Sequence, residues 1–127
     1  MNIVSVLTKN DINIRAITIA EASNYITVRI IVDNVLWTAS ILRRAGFASG
    51  FTDVIAIEIS NAPGGLMKIL QLMKAAGINI EYMYAVQCCK NPDKACMIFR
   101  VNDNNTAAYI LQAAGIKIFN QTELAEL

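Results

Sequence analysis

The segment from Asn61 to Leu66, Asn-Ala-Pro-Gly-Gly-Leu, has the residue types best suited to ligand binding. Pro63 fixes the backbone at a helix entrance, where its missing N–H costs no hydrogen bond. Gly64 and Gly65 let the backbone approach a ligand without a Cβ in the way. The first N–H groups of the following helix would point outward at the positive end of the helix dipole, where a carboxylate binds well. The alternative interpretation is a tight turn that only starts a helix.

The remaining residues do not form a recognisable catalytic or metal-binding pattern. The chain has no histidine, which removes the usual general base at neutral pH and the commonest metal ligand. Cys88, Cys89 and Cys96 flank a predicted turn, but a closed zinc site needs four ligands. The carboxylates and serines lie in separate elements without a linking motif. We therefore expect a non-enzyme without metal or cofactor, whose thiols are reduced.

Charge and composition exclude several classes of partner. The 127 residues carry 11 Lys and Arg against 10 Asp and Glu, so there is no broad basic surface for nucleic acid. No stretch approaches the roughly 20 apolar residues of a membrane helix, and the first residues do not have the pattern of a signal peptide. We expect a cytoplasmic protein that binds neither nucleic acid nor membrane. The hydrophobic content of 55% exceeds what a small monomer buries, which predicts a homo-oligomer, most simply a dimer.

The positions of these residues follow an internal repeat. Three pairs of segments recur in the same order: Ile12–Ile14 with Ile78–Ile80 at an offset of 66, Asp33-Asn34 with Asp103-Asn104 at 70, and Ile41–Gly46 with Ile110–Gly115 at 69. Preserved order indicates that both halves share one plan. We expect an incomplete first module over residues 1–52 and a second module over residues 53–127.

Hydrophobic periodicity predicts the elements of both halves. In the second half these are strand Asp53–Ile59, a helix from Leu66 to a stop at Gly77, strands Ile78–Cys88 and Ala95–Val101, helix Asn105–Ala114 and strand Ile116–Phe119. In the first half they are helix Met1–Lys9, strands Ile12–Ala20 and Asn24–Val32, helix Val35–Ala45 and a short strand Phe47–Phe51. Alternation predicts one shared face for Ile78, Ile80, Tyr82, Tyr84 and Val86. The order predicts an α+β protein of two ferredoxin-like βαββαβ modules.

The first module lacks its opening strand. At the offset of 66, the counterparts of Asp53 to Leu66 would precede Met1. Because that strand is central in a ferredoxin-like sheet, its loss would expose backbone hydrogen-bonding groups and an apolar face. Two explanations remain open: the natural protein begins upstream of Met1, or another strand, for example from a second chain, fills the position.

Residues 61–84 resemble the first helix of an ACT domain with its flanking loop and strand. The shared features are Pro63-Gly64 two residues after a position that is usually acidic, an apolar helix, and the ending Gly77-Ile78-Asn79-Ile80. The whole chain resembles tandem-ACT proteins without an attached enzyme. One departure is Asn61 in place of the usual Asp, which removes a charge that would balance an ammonium group.

The resemblance implies regulatory modules that pair side by side and bind amino acids or similar small effectors at the module interface. In such sites the loop and helix start of one module face the second strand of its neighbour. The implied loop residues are Asn61, Ala62, Pro63, Gly64, Gly65 and Leu66, and the implied strand residues are Asn79 and Ile80, with Asn13 and Ile14 as first-module counterparts.

Three functional hypotheses follow. The first is an allosteric amino-acid-binding regulator, and the second is a structural interaction module that has lost ligand binding. The third and weakest is a redox or metal responder that uses the cysteine turn.

Overall fold

The computed structural model describes residues 3–21, 23–60, 62–86 and 91–125. The chain divides into two compact units, Met1–Thr52 with Leu124–Glu126, and Asp53–Glu123 with Leu127. Each unit contains one antiparallel sheet with helices, so the predicted α+β class with two ferredoxin-like modules is confirmed. Among the helices of the described residues, none is both long and apolar enough to cross a membrane.

The first unit is a β-hairpin with two helices. Its elements are α1 (Ile3–Lys9), β1 (Ile14–Glu21), β2 (Ile26–Val32) and α2 (Val35–Arg44). Strands β1 and β2 pair antiparallel. Leu7 of α1, Val32 of β2 and Ile41 of α2 are buried in one apolar cluster, which joins the three kinds of element. Helix α2 begins after Asn34, whose side-chain oxygen accepts the Trp37 N–H at 3.0 Å, as an N-cap residue should.

The second unit has the complete ferredoxin-like pattern. Its elements are β3 (Ile55–Ser60), α3 (Gly65–Ala75), β4 (Ile80–Val86), β5 (Lys94–Val101), α4 (Asn104–Ala113), β6 (Ile118–Phe119) and the start of α5 (Gln121–Ala125), whose residues from Leu124 onward are assigned to the first unit. The sheet order is β4-β5-β3-β6. Ile57 of β3, Met73 of α3, Phe99 of β5 and Leu111 of α4 are completely buried in its core. The sheet and both long helices therefore meet around one apolar centre.

A β-bulge occurs at the same place in both hairpins. In the first unit the register shifts between Ile14 and Ala16, and in the second it shifts between Ile80 and Tyr82. Ile80 therefore packs against the helix-side core, whereas Tyr82 lies opposite Arg100 on the other side of the sheet. The predicted single face from Ile78 to Val86 is wrong, because the extra residue of the bulge reverses the alternation.

The helix starts define the repeat more accurately than sequence matching does. Asp103 accepts the Thr106 N–H at 3.1 Å and is the N-cap of α4, as Asn34 is the N-cap of α2. Asn34 and Asp103 are 69 residues apart, so the segment Asp33-Asn34 corresponds to Asn102-Asp103. The offset of 70 expected for this segment is therefore wrong by one residue.

Two elements differ from the prediction: an expected strand does not form, and an unexpected helix does. Residues 47–54 form no strand, although a short strand was expected at Phe47–Phe51. Its second-unit counterpart β6 pairs with β3, and the described part of the first unit has no strand equivalent to β3. Conversely, α5 was not expected. Asn120 and Glu123 bond each other's N–H groups at 2.8 and 3.1 Å in a capping-box arrangement, a signal readable in the sequence.

Candidate ligand-binding loop

The predicted binding loop lies between β3 and α3, and the buried strand fixes where it starts. Ile57 and Ile59 are buried in the second unit's core, which anchors β3 up to its end at Ser60. The Ser60 hydroxyl oxygen then accepts the Ala62 N–H at 3.2 Å, which starts the turn. Asn61, the first residue of the predicted site, lies outside the described residues.

The two glycines of the loop have different structural roles. Gly64 has a φ of 90° and precedes the first residue of α3 as its N-cap, a left-handed conformation that favours glycine. A Cβ on Gly64 would meet nothing within 4 Å. A Cβ on Gly65 would instead overlap the main-chain oxygen of Ser60, so the helix start packs directly on the strand end. Both residues therefore have reasons to be glycine that do not depend on a ligand.

The loop exposes main chain at the positive end of α3. Ala62, Pro63 and Gly64 are exposed, whereas Gly65 is half-buried and its N–H donates to the Ala62 carbonyl oxygen at 3.2 Å. Leu66 is half-buried and packs against the core. The N-cap residue, Gly64, has no side chain that could accept an N–H of the first helical turn. A negatively charged group at this end of the helix would be stabilised by the helix dipole.

A groove beside the loop adds positive charge. It has a volume of about 230 Å³, and its lining includes Glu58, Ser60, Gly65, Lys68, Lys94 and Lys117. Three lysines and one glutamate give it a formal charge of +2. The Lys117 ammonium also contacts Glu123 at 3.3 Å. Sequence reasoning missed this group, because its lysines come from separate segments and no spacing pattern joins them.

The predicted strand residues, Asn79 and Ile80, occupy a different part of the second unit. The Asn79 N–H donates to the Asn102 side-chain oxygen at 2.9 Å, and the Asn102 N–H donates to the Asn79 carbonyl oxygen at 3.1 Å. These two hydrogen bonds fix the main chain of Asn79. Its side chain takes part in neither bond and is exposed. Ile80 is half-buried against the core.

The loop and these strand residues lie at opposite ends of the sheet. Ser60, which precedes the loop, pairs with Lys94 at the start of β5, whereas Ile80 pairs with Val101 at its end. Seven residue steps along a strand span about 23 Å. One small ligand therefore cannot contact both parts of the predicted site within the second unit.

The first-unit counterparts have the same local structure. The Ile12 N–H donates to Leu7 O at 3.0 Å, and the Ile78 N–H donates to Met73 O at 2.9 Å. Asn13 is exposed like Asn79, and Ile14 is half-buried against its core like Ile80. The equivalence of Asn13 with Asn79, taken from the sequence repeat, therefore extends to the backbone.

In the part of the chain that the structure describes, cysteine and carboxylate groups form no second site. Among the described residues, no three His, Cys, Asp or Glu side chains lie close enough together to hold a metal ion. Cys96 is a buried thiol, and Cys88 and Cys89 lie outside the described residues. The Thr106 hydroxyl and then the Thr106 N–H lower the pKa of Asp103. This shift belongs to a helix cap rather than to a binding loop.

Two βαββαβ-type units, the first without its opening strand among the described residues, define a tandem ferredoxin-like protein. A family profile described as an ACT domain pair matches residues 1–127, so the chain belongs to the ACT domain family as a tandem protein. This confirms the resemblance inferred from residues 61–84. ACT domains generally bind small effectors and often dimerise.

A solved structure supports the same assignment. The crystal structure of protein BT0572 from Bacteroides thetaiotaomicron matches with a TM-score of 0.91 at 30% sequence identity. The match covers 98% of this chain and 85% of that chain. No curated protein matches this chain.

Proposed function

We propose that this protein is a non-enzymatic allosteric regulator whose ACT modules bind an amino acid or a similar small effector. The observation that carries the proposal is the exposed turn at Ala62–Gly64, which places main chain at the positive end of α3 with a glycine as the N-cap residue. An effector carboxylate would bind the main-chain N–H group of Leu66 or of the next residues of α3, because the Gly65 N–H already donates to the Ala62 carbonyl oxygen. Asn61 and Asn79 would supply oxygens for an ammonium group.

The geometry of the second unit favours a site shared between modules. Because Ser60 and Ile80 are at opposite ends of β5, a loop and a second strand can face one ligand only when they belong to different modules. Association of modules would then be part of binding. If the two modules belong to different copies of the chain, the site forms only in a homo-oligomer, with a dimer as its simplest form.

The regulatory mechanism follows from a shared site. An effector that contacts two modules stabilises the arrangement in which both contacts are made. A partner that recognises this arrangement is then coupled to the effector, and the coupling must act in both directions. No step of covalent chemistry is required, in keeping with a sequence that lacks histidine.

A second candidate function is a structural interaction module whose loop is only a turn. Gly64 and Gly65 both have structural roles that need no ligand, which favours the interpretation that the loop is only a turn. The exposed apolar side chains of the first unit, Ile19 and Ile26 among them, favour association with another surface. Effector-dependent stabilisation separates the two candidates.

A thermal-shift panel of the twenty amino acids, with oligomer mass measured alongside, tests the proposal. A ligand at about 100 times its Kd should stabilise the chain by roughly 2.7 kcal/mol. The site variant is Ala62→Glu, which places a carboxylate on the exposed loop, with Ala62→Gln as the uncharged control. We expect the glutamate to abolish the shift and the glutamine to retain most of it.

Replacement of Gly65 would not be informative, because its Cβ would collide with Ser60 whether or not a ligand binds. If no amino acid raises the unfolding temperature while the oligomer is stable, the hypothesis of a structural interaction module replaces that of a regulator. If Ala62→Glu keeps the full shift, the effector binds elsewhere.

A further inference from the structure

The groove beside the predicted binding loop collects lysines from three separate elements of the second unit. Lys68 lies on α3, Lys94 begins β5, and Lys117 directly precedes β6. Glu58 is the one carboxylate among the described residues that line the groove. The Lys117 ammonium contacts Glu123 at 3.3 Å, whereas Lys68 and Lys94 form no ion pair within the part of the chain that the structure describes. The groove therefore has more positive charge than its own carboxylate balances.

The fold does not require this positive charge. At the offset of 69 fixed by the helix caps, Lys94 and Lys117 correspond to Tyr25 and Ala48 of the first unit. Strands β2 and β5 form next to the first pair of positions, and the same helix-end hydrogen bond forms before the second pair. Because the backbone is alike with and without the two basic side chains, their charge is available for a ligand.

The type of cation in the groove favours a phosphate group over a carboxylate. Lysine is a compact charge with three donors, whereas the planar fork of arginine matches a planar carboxylate through two parallel bonds. The described lining contains three lysines, one glutamate and no arginine, which gives a formal charge of +2. A phosphate monoester carries about −1.5 to −2 at neutral pH and would balance most of this charge. A single carboxylate would balance half of it.

The size of the groove restricts the ligand to a small molecule. Its volume of about 230 Å³ is below the roughly 300–1,000 Å³ of pockets that hold drug-sized ligands. One water molecule occupies about 30 Å³ of the liquid, so there is room for a phosphate group and a short organic body. Ile59, Ile69 and Ile116 also line the groove and supply apolar surface for that body.

We propose that this groove binds the phosphate group of a small phosphorylated metabolite. Lys68 and Lys94 donate to the phosphate oxygens, and Lys117 adds charge that it shares with Glu123. All of these residues belong to the second unit, so the groove needs no neighbouring module. In this respect it differs from the effector site proposed at the loop, and the two sites can be tested separately.

The test uses amide chemical shifts of the full chain during titration with three anions at constant ionic strength, because salt screens exposed charges. The anions are inorganic phosphate, glycerol phosphate as a small monoester, and acetate as a carboxylate. We expect saturable shifts at Gly65, Lys68 and residues 115–117 with both phosphates. Acetate should bind roughly tenfold more weakly than glycerol phosphate, because it has one charge and fewer acceptor oxygens.

Four variants locate the site. Lys68→Gln and Lys94→Gln should each weaken binding of glycerol phosphate by about tenfold, since each removes a charge-assisted hydrogen bond. Lys74→Gln is the matched control: it makes the same change of charge at an exposed position of α3 outside the groove lining and should leave binding unchanged. Glu58→Gln removes the carboxylate from the groove and should strengthen binding by roughly threefold. Damage to the fold would weaken binding in every variant and could not produce this increase.

Several results would overturn the proposal. Equal affinity for acetate would show that the groove has no preference for phosphate. Equal weakening by Lys74→Gln would show that the anions bind only to general surface charge. Shifts confined to residues away from the groove would place the anion elsewhere, and the absence of saturable shifts with either phosphate would show that the groove takes no such ligand. None of these results depends on the amino-acid panel, whose site variant is at Ala62.

Discussion

The two units share their local structure and differ in the strand that completes the sheet. Leu7 of α1 and Met73 of α3 are both completely buried, and each accepts an N–H from the residue five positions later. The Phe47 N–H donates to Leu42 O at 2.9 Å after α2, and the corresponding bond after α4 has the same length. Helix ends and turns therefore form the same way with or without a complete sheet.

The two units differ in how many large apolar side chains they expose, although their backbone conformations match. Among the described residues, eleven large hydrophobic side chains are exposed, and eight of them are in the first unit. These eight are Val4, Ile17, Ile19, Tyr25, Ile26, Leu36, Trp37 and Phe51. Local signals thus determine the helices and the hairpin, whereas a central strand is needed to cover their apolar faces.

The largest expected difference between the units is at Phe99 and its counterpart Ile30. Phe99→Ala should lower the free energy of unfolding by about 4 kcal/mol, because it opens a cavity in a fully buried position. Ile30→Ala should cost about 1 kcal/mol, because the half-buried side chain already contacts solvent. Hydrogen exchange followed separately in β5 and β2 measures both effects.

Equal losses at the two positions would contradict this comparison. They would show that Ile30 is covered in solution, as a bound strand or a second copy would cover it. Ile98→Ala controls for residue type at a completely buried position in β5.

A smaller difference is expected at the ends of α1 and α3. Asp11 has a φ of 56°, and its counterpart Gly77 has a φ of 73°. Gly77→Asp should therefore destabilise the second unit by about 1 kcal/mol, because only glycine adopts this region without cost. Asp11→Gly should stabilise the first unit by a similar or smaller amount. Urea unfolding of both variants measures the pair.

If both variants change stability in the same direction, Asp11 and Gly77 do not have the same role at the ends of their helices. A Cβ on Gly77 would meet nothing within 4 Å, so steric contact would not explain a loss.

Much of the fold could be predicted from local residue patterns. Gly77 and Gly115 marked helix ends, and the alternation of Met97, Phe99 and Val101 identified the buried face of β5. The bulges at Arg15 and Glu81 could not be predicted, because nothing in either residue distinguishes a bulge from regular alternation. The strand expected near Phe47 also failed, since strand formation there depends on a distant partner.

The candidate site was less predictable than the fold. The turn over Pro63 and a helix start at Leu66 were expected from residue types alone, and α3 begins one residue earlier, at Gly65. The sequence did not indicate that Gly65 is required by the Ser60 backbone, because a close approach depends on how the strand and helix pack. It also gave no signal for the groove lined by Lys68, Lys94 and Lys117.

The smallest expected difference is in the response of the two N-caps to acid. Asp103 accepts the Thr106 hydroxyl at 2.6 Å and the Thr106 N–H at 3.1 Å, which lowers its pKa below the ordinary value of 3.8. Because the folded pKa is depressed, the cap stabilises α4 fully above pH 3.8 and loses this contribution as the pH falls through the lower folded pKa. Asn34 caps α2 with an amide and cannot respond in this way.

The amide chemical shifts of Thr106 and Trp37 measure this difference in one acid titration. We expect the Thr106 amide to titrate with a midpoint below 3.8 while the Trp37 amide changes little. Asp103→Asn gives the second unit the cap of the first, so it should remove the titration at Thr106 and retain the bond to its N–H. A midpoint at or above 3.8 would show that the Thr106 bonds do not stabilise the charged form of Asp103. If the Thr106 amide shift still changes with pH in Asp103→Asn, another carboxyl causes the response. The two caps would then not differ in their response to acid.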